Sequence, residues 1–390
     1  MQANAAFATK QTSLRLSARV ADLQPSPIRE ILAVIDRPGM VSFAGGLPSP
    51  DSFPQLPAHV PAKYWQYGAT EGEAELRALI AERMRGLGVQ CSAEQVLLVS
   101  GSQQGIDLVA KLFIDAGTPV AVESPTYLAA LQVFRFFGAA LQPFTADSLN
   151  TTFNQAHKPA LLYAIPTFQN PTGYCYSAAE RQAVAEACDA FNVPLFEDDP
   201  YRDLVYESCE RQPICARLNV APWIYQGSFS KSLAPGLRLG FLVVSPSLLP
   251  YLVRLKQAAD LHSNRLSQYL VWQQLQRADE AARLVELAQA YRHKRDVFAT
   301  ALQHHFGDLA TWQIPAGGLF FWLTLNRRID TRALLPLAID AGVAFMPGEP
   351  FYPQAIDASG TLRLNFSHAS AEALDIGLAK LAAIVRAAMV

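Results

Sequence analysis

The feature that most constrains this chain is a series of short, continuous apolar runs separated by stretches of helical spacing. They are VLLVS (96–100), PVAVE (119–123), ALLYAIP (160–166), VPLFED (193–198), WIYQGS (223–228) and RLGFLVV (238–244). Runs without polar alternation read as strands buried on both faces, which calls for helices on either side of the sheet. After the first run Gly101 turns the chain, and Ser102 is the expected N-cap of a helix to Asp115. Ile106, Val109, Ala110 and Phe113 recur along it at helical spacing. A helix from Pro125 to about Phe137 and another over 177–191 continue the alternation, so right-handed crossovers between parallel strands are expected. The fold class is therefore α/β: a large domain with a mostly parallel sheet covered by helices on both faces, plus a smaller α+β domain.

The smaller unit is expected where the pattern changes, after about residue 245. A charged, helix-forming stretch runs over 250–304, followed by GGLFFWLTL (317–325), a helix near 331–341, GVAFMPG (342–348), TLRLNF (361–366) and a last helix. The expected division is an N-terminal segment (1–45) packing with the small domain, a large domain (46–260) and a small C-terminal domain (261–390). At about 150 residues per domain, 390 residues accommodate it.

Composition removes several function classes. A hydrophobic fraction of 51% excludes a disordered chain. Lys and Arg number 32 against 34 Asp and Glu, leaving −2 and no basic stripe, so nucleic acid is not the expected partner. No apolar run is long enough for a bilayer, and the N-terminus MQANAAFATKQTS lacks the apolar core of a signal peptide, so no membrane role is expected. Five cysteines without a CxxC pair point to reduced thiols in a cytoplasm. No metal is expected, because the seven histidines show no ligand spacing. Adjacent His304 and His305 on a helix cannot face one ion and are expected to be solvated. HExxH, GxSxG, GxxxxGK and GxGxxG are all absent.

The sharpest segment is SFSKSLAPGLRLG, 228–240. Lys231 sits just past a buried strand, preceded by the hydroxyls of Ser228 and Ser230 and followed by Arg238. A phosphorylated aldehyde cofactor would use such a set, with the amine forming a Schiff base and the hydroxyls and guanidinium holding phosphate. Asp198 ends the strand VPLFED, with Tyr201 three residues on. A carboxylate at that end of a parallel strand lies where such sheets bind ligands, and would keep a pyridine nitrogen protonated. Taken alone, Glu197-Asp198-Asp199-Pro200 is equally a charged turn. Asn170-Pro171-Thr172-Gly173 is ambiguous in the same way. Ser102 and Gln103 open a helix whose N-terminus suits phosphate or is a simple cap, and Tyr127 either stacks on a flat ring or packs in the core or on the surface. Arg363 points away from the strand face shared by Leu362, Leu364 and Phe366, either as a carboxylate fork or as a surface arginine.

In this order and spacing the segments resemble the fold-type I pyridoxal-phosphate (PLP) aminotransferases of class I/II, over nearly the whole chain. SPIR (26–29), FAGGLPSPDSFP (43–54), YGATEG (67–72), GSQQG (101–105), EDDPY (197–201) and SFSK (228–231) bring it nearest the 2-aminoadipate and kynurenine aminotransferase subgroup. The resemblance implies a ping-pong transfer of an α-amino group between an L-amino acid and a 2-oxo acid, with 2-oxoglutarate and glutamate as one pair. Lys231 would carry the aldimine and move the proton between Cα and C4′, and Asp198 would pair with the pyridine nitrogen. Asn170 and Tyr201 would hold the phenolic oxygen, and Tyr127 would stack on the ring. Ser102, Gln103, Ser228, Ser230 and Arg238 would surround the phosphate, joined by Tyr67 from the other subunit of a homodimer. Arg363 would bind the substrate's α-carboxylate. Arg29 and Gly46-Leu47 would lie on a segment closing over it, Asn170 would also touch substrate, and Arg29 would read a distal carboxylate. A lyase or decarboxylase would share the whole constellation. A transcription regulator with an aminotransferase-like domain would need a winged-helix module, for which the twenty-five residues before SPIR are too few.

Overall fold

The computed structural model describes residues 17–21, 31, 37–57, 59–149, 153 and 158–389. Its strands are β1 (Val41–Ser42), β2 (Val96–Val99), β3 (Pro119–Glu123), β4 (Ala140–Phe144), β5 (Leu161–Ala164), β6 (Leu195–Asp198), β7 (Trp223–Ser228), β8 (Gly240–Val244), β9 (Ala310–Thr311), β10 (Phe320–Leu325), β11 (Val343–Ala344), β12 (Met346–Pro347) and β13 (Thr361–Asn365). The principal helices are α1 (Ala74–Gly86), α2 (Ser102–Phe113), α3 (Leu128–Phe136), α4 (Ala178–Phe191), α5 (Leu249–Asp260), α6 (Arg265–Leu275), α7 (Glu280–Phe306), α8 (Thr331–Asp340) and α9 (Ala371–Met389).

Seven strands form one sheet in the order β2-β8-β7-β6-β5-β3-β4. Every pairing is parallel except the two made by β8, which alone runs against its neighbours. Alternate residues bury into different cores: Leu98, Leu162, Leu195 and Tyr225 into one, Leu97, Leu161, Phe196 and Ile224 into the other. Both faces are dry, which explains why these strands read as unbroken apolar runs. The smaller unit is the antiparallel sheet β12-β13-β10-β9 with α7, α8 and α9, and β1 pairs in parallel with β11 beside it. Phe168, Tyr201 and Leu204 from the large sheet's edge share a core with Phe298, Phe321 and Leu364 of that unit. Helix α6 packs Val271 and Leu275 against Leu76 and Ile80 of α1.

Several local expectations change. Gly101, not Ser102, is the N-cap of α2, and it takes φ 80°, where a side chain would strike the guanidinium of Arg238. The 250–304 stretch is three helices, broken at Leu261 (φ 65°) and restarted where Asn264 caps the backbone N–H of Ser267. Strand β4 carries no sequence signal: it lies at the sheet edge, mostly half-buried, with Pro143 inside it. His305 is not simply solvated, since its Nε2 lies 2.8 Å from Asp375 Oδ1.

Candidate functional site

The parallel strands β2, β3, β5, β6 and β7 all end at one edge of the sheet, and reversed β8 begins there. Topology therefore gathers what the sequence scatters from residue 102 to residue 238. Ser102 follows β2, Tyr127 follows β3, Asn170 follows β5, Asp198 ends β6, Lys231 follows β7 and Arg238 precedes β8. Gly240 pairs with both Val99 and Ser228, and a Cβ on it would lie 3.2 Å from the backbone nitrogen of Ser102 and 2.9 Å from Gly227 O. The backbones converge there too closely for a side chain. Ser228, the start of α2 and the Arg238 guanidinium lie at this point, with exposed Gln103 on the first turn of α2 and Ser230 two residues past Ser228. Ser228 Oγ accepts from Ser230 N–H at 3.2 Å.

Asp198 is 2% exposed. Its Oδ1 accepts from Gln226 Nε2 and its Oδ2 from the Tyr163 hydroxyl, each at 2.8 Å. Gln226 is its register partner on β7, and Tyr163 lies on β5 on the other side, facing the same core as Phe196. Among the described residues no cation pairs with this carboxylate. Burial pushes its pKa up to about 6, against the pull of the two hydrogen bonds.

Lys231 Nζ donates to Gly46 O at 2.7 Å and lies 6.0 Å from the Tyr201 ring. Burial, with the positive charges of Arg363 and Arg238, lowers it to about 8. Arg363, on β13, is also 2% exposed, so the surface-arginine alternative fails: Leu362 and Leu364 face one core, and the opposite face is covered as well. Its guanidinium lies 4.2 Å from the Phe320 ring and 5.0 Å from Phe351. Nη1 donates to Asn170 Oδ1 (2.9 Å) and Nη2 to Ala44 O (2.6 Å), while Nε has no partner. No described carboxylate pairs with it. Burial pushes it down to about 10, which leaves it charged at neutral pH. Tyr201 is buried, raised by burial and by the neighbouring Tyr127 hydroxyl and Asp198, and hydrogen-bonded to Asn170. Tyr127 in turn feels Asp198, Arg363 and Arg238.

The structure thus brings together Ser102, Tyr127, Asn170, Asp198, Tyr201, Ser228, Ser230, Lys231, Arg238, Arg363 and Gly46. Tyr67 is 76% exposed, edge-on to His262 at 5.8 Å. Arg29 lies outside the described residues. Sequence reasoning missed Tyr163 and Gln226, which hold Asp198, and the carbonyl of Ala44 and the rings of Phe320 and Phe351, which hold Arg363. Tyr163 and Gln226 sit inside unbroken apolar strands, where nothing marks a polar residue as turned toward a site. Among the described residues no cluster of metal-ligating side chains occurs, and no helix is long and apolar enough to cross a membrane.

Comparison with known proteins agrees with this arrangement. Residues 50–381 match the family model "Aminotransferase class I and II". Aromatic-amino-acid aminotransferase 1 of Thermococcus litoralis is 34% identical, over 96% of this chain and 94% of its own. An α-aminoadipate aminotransferase of Thermus thermophilus, solved with N-(5′-phosphopyridoxyl)-L-leucine, superposes with a TM-score of 0.86 at 34% identity, covering 96% of this chain and 98% of its own. A kynurenine aminotransferase of Pyrococcus horikoshii gives a TM-score of 0.89 at 32% identity, covering 96% and 97%.

Proposed function

This chain belongs to the class I and II aminotransferases, and from that premise we propose that Lys231, Asp198, Tyr201, Asn170 and Arg363 perform its PLP-dependent transamination. One observation carries the assignment. Among the described residues, a buried guanidinium without a carboxylate reaches Asn170 at a sheet edge that also carries a buried carboxylate without a cation and a lysine lowered toward neutrality. Uncompensated buried charges are costly to a fold and belong where ligands supply the partner.

The residues fit the cofactor. Gly101 and Gly240 keep a cradle free of side chains, where Ser102, Gln103, Ser228, Ser230 and Arg238 would hold the phosphate. Asp198 would hold the pyridine nitrogen in its protonated form, Tyr127 would lie against the ring, and Asn170 and Tyr201 would meet its phenolic oxygen. Bound there, the cofactor supplies an aldehyde that captures an amine and a ring that accepts electrons from Cα. The protein's own residues do the rest. Arg363, lying against Phe320 and Phe351, grips the substrate's α-carboxylate and orients Cα. Lys231, its pKa lowered to about 8, spends a useful fraction of the time uncharged and carries the proton to and from Cα. Tyr163 and Gln226 fix the orientation of Asp198. Residues 43–47 run past the site, the Ala44 carbonyl bonded to Arg363 and the Gly46 carbonyl to Lys231.

Glutamate and 2-oxoglutarate are proposed as one substrate pair, with Arg29 reading the distal carboxylate. The names of the relatives, which span aromatic, 2-aminoadipate and kynurenine substrates, support a donor of broad character. A cytoplasmic homodimer is proposed, with Tyr67 completing the neighbour's phosphate site; its exposure leaves it open to be covered. The test is an absorbance screen of the PLP-loaded protein with single amino acids and no 2-oxo acid. Glutamate is expected to bleach the cofactor's visible band stoichiometrically. Arg363→Gln is expected to raise the glutamate KM at least about thirtyfold, because losing a buried charge pair costs about 2–5 kcal/mol. A screen in which no amino acid bleaches the band, or in which carbon dioxide appears, overturns the reading.

A further inference from the structure

Glu123 ends β3, is 5% exposed, and has none of the roles above. Its carboxylate accepts four hydrogen bonds. Oε2 receives Ile165 N–H (3.1 Å), Gln169 Nε2 (3.2 Å) and Thr126 Oγ1 (3.2 Å), and Oε1 receives the Tyr176 hydroxyl (2.8 Å). Among the described residues no cation pairs with it, and burial pushes it up to about 7. Two of the four donors sit directly beside site residues in the chain: Thr126 precedes Tyr127, and Gln169 precedes Asn170. Gln169 strengthens the link. Its Nε2 also donates to Pro125 O (2.8 Å), and its Oε1 accepts from Thr172 N–H (2.9 Å) and Oγ1 (2.7 Å), closing the turn that carries Asn170.

The turn carrying Tyr127 and the turn carrying Asn170 leave adjacent strands, β3 and β5, and this carboxylate and Gln169 bridge them. An apolar filler between two buried strand ends would cost less than a carboxylate with no counter-charge. We propose that Glu123 is a positioning residue of the active site, a clamp that sets Tyr127 and Asn170 at a fixed separation across the cofactor pocket. It touches neither cofactor nor substrate and acts through these two residues. The inference rests on the reading above, in which Tyr127 and Asn170 line that pocket.

Four single variants test it, each read by PLP affinity, by visible circular dichroism of the loaded protein and by melting of the cofactor-free chain. Thr126→Val cuts the arm to the Tyr127 turn. It is expected to weaken PLP binding about five- to tenfold, the order of one buried hydrogen bond, and to change the visible dichroism. Tyr176→Phe removes a donor from the same carboxylate that reaches neither turn. It is expected to lower the melting temperature while leaving affinity within about twofold and the dichroism unchanged. Glu123→Gln keeps the shape, because an amide can accept from Ile165 and Gln169 and donate to the Tyr176 hydroxyl; affinity should stay within about threefold. The clamp is overturned if Thr126→Val matches wild type, if Tyr176→Phe weakens binding as much as Thr126→Val, or if Glu123→Gln loses more than about tenfold. Tyr127→Ala separates the two levels. Unchanged dichroism there removes Tyr127 from the pocket and takes the underlying reading with it, whereas a changed signal beside an inert Thr126→Val removes the clamp alone.

Discussion

Replacing Asp198 with Asn is expected to stabilise the cofactor-free chain and to cripple the loaded one. The carboxylate is buried between two neutral donors, and burial raises its pKa from 3.8 to about 6. Each tenfold change in proton affinity is worth about 1.4 kcal/mol, so the ionised group costs the folded chain about 3 kcal/mol. The sign follows from linkage. A folded-state pKa above the unfolded one means the folded chain holds the extra proton between pH 3.8 and about 6. The penalty is absent below 3.8, grows through that window and is complete above 6. An amide keeps the shape, and Gln226 can turn its own amide over to meet it, since Gln226 Oε1 has no partner to lose. With unfolding entropy of about 2.1 cal/mol/K per residue, 3 kcal/mol corresponds to roughly 4 °C in Tm. Calorimetry of the cofactor-free proteins at pH 8 and pH 5 checks this: Asp198→Asn should melt roughly 3–4 °C above wild type at pH 8 and about half as far above it at pH 5. In the loaded enzyme the order reverses, with weaker PLP binding and a kcat about a hundredfold lower, as for other preorganised charges. A cofactor-free variant that melts at or below wild type at pH 8, or a difference that ignores pH, would refute the reasoning.

Lys231→Ala is expected to lose turnover by a factor of at least about a thousand, because the same amine both holds the cofactor and carries the proton; borohydride should then fix no cofactor to the chain, as peptide mass mapping would reveal. Mixing Lys231→Ala chains with Tyr67→Phe chains should restore activity through heterodimers with one undamaged site, and no gain over the separate variants on remixing would place Tyr67 in its own chain's site.

The sheet, its layers and most of its strands were legible because buried parallel strands announce themselves as unbroken apolar runs. Lys231 stood out as a candidate from its local segment, whereas Asp198, Asn170 and Arg363 were ambiguous locally and became candidates only through the resemblance of the whole set of segments. The sequence by itself determined which chemistry-bearing groups the chain owns and in what order. Only the tertiary structure decided that β8 runs against its neighbours and so carries Arg238 to the start of α2. It alone buried Arg363 between two rings and turned Tyr163 and Gln226 onto Asp198. The same is true of Glu123, which in the sequence is only the end of PVAVE and in the fold joins two turns more than forty residues apart. The physical reason is that periodicity records whether a position is dry, whereas the partner of a buried polar group is set by strand order and register, through contacts distant in the chain.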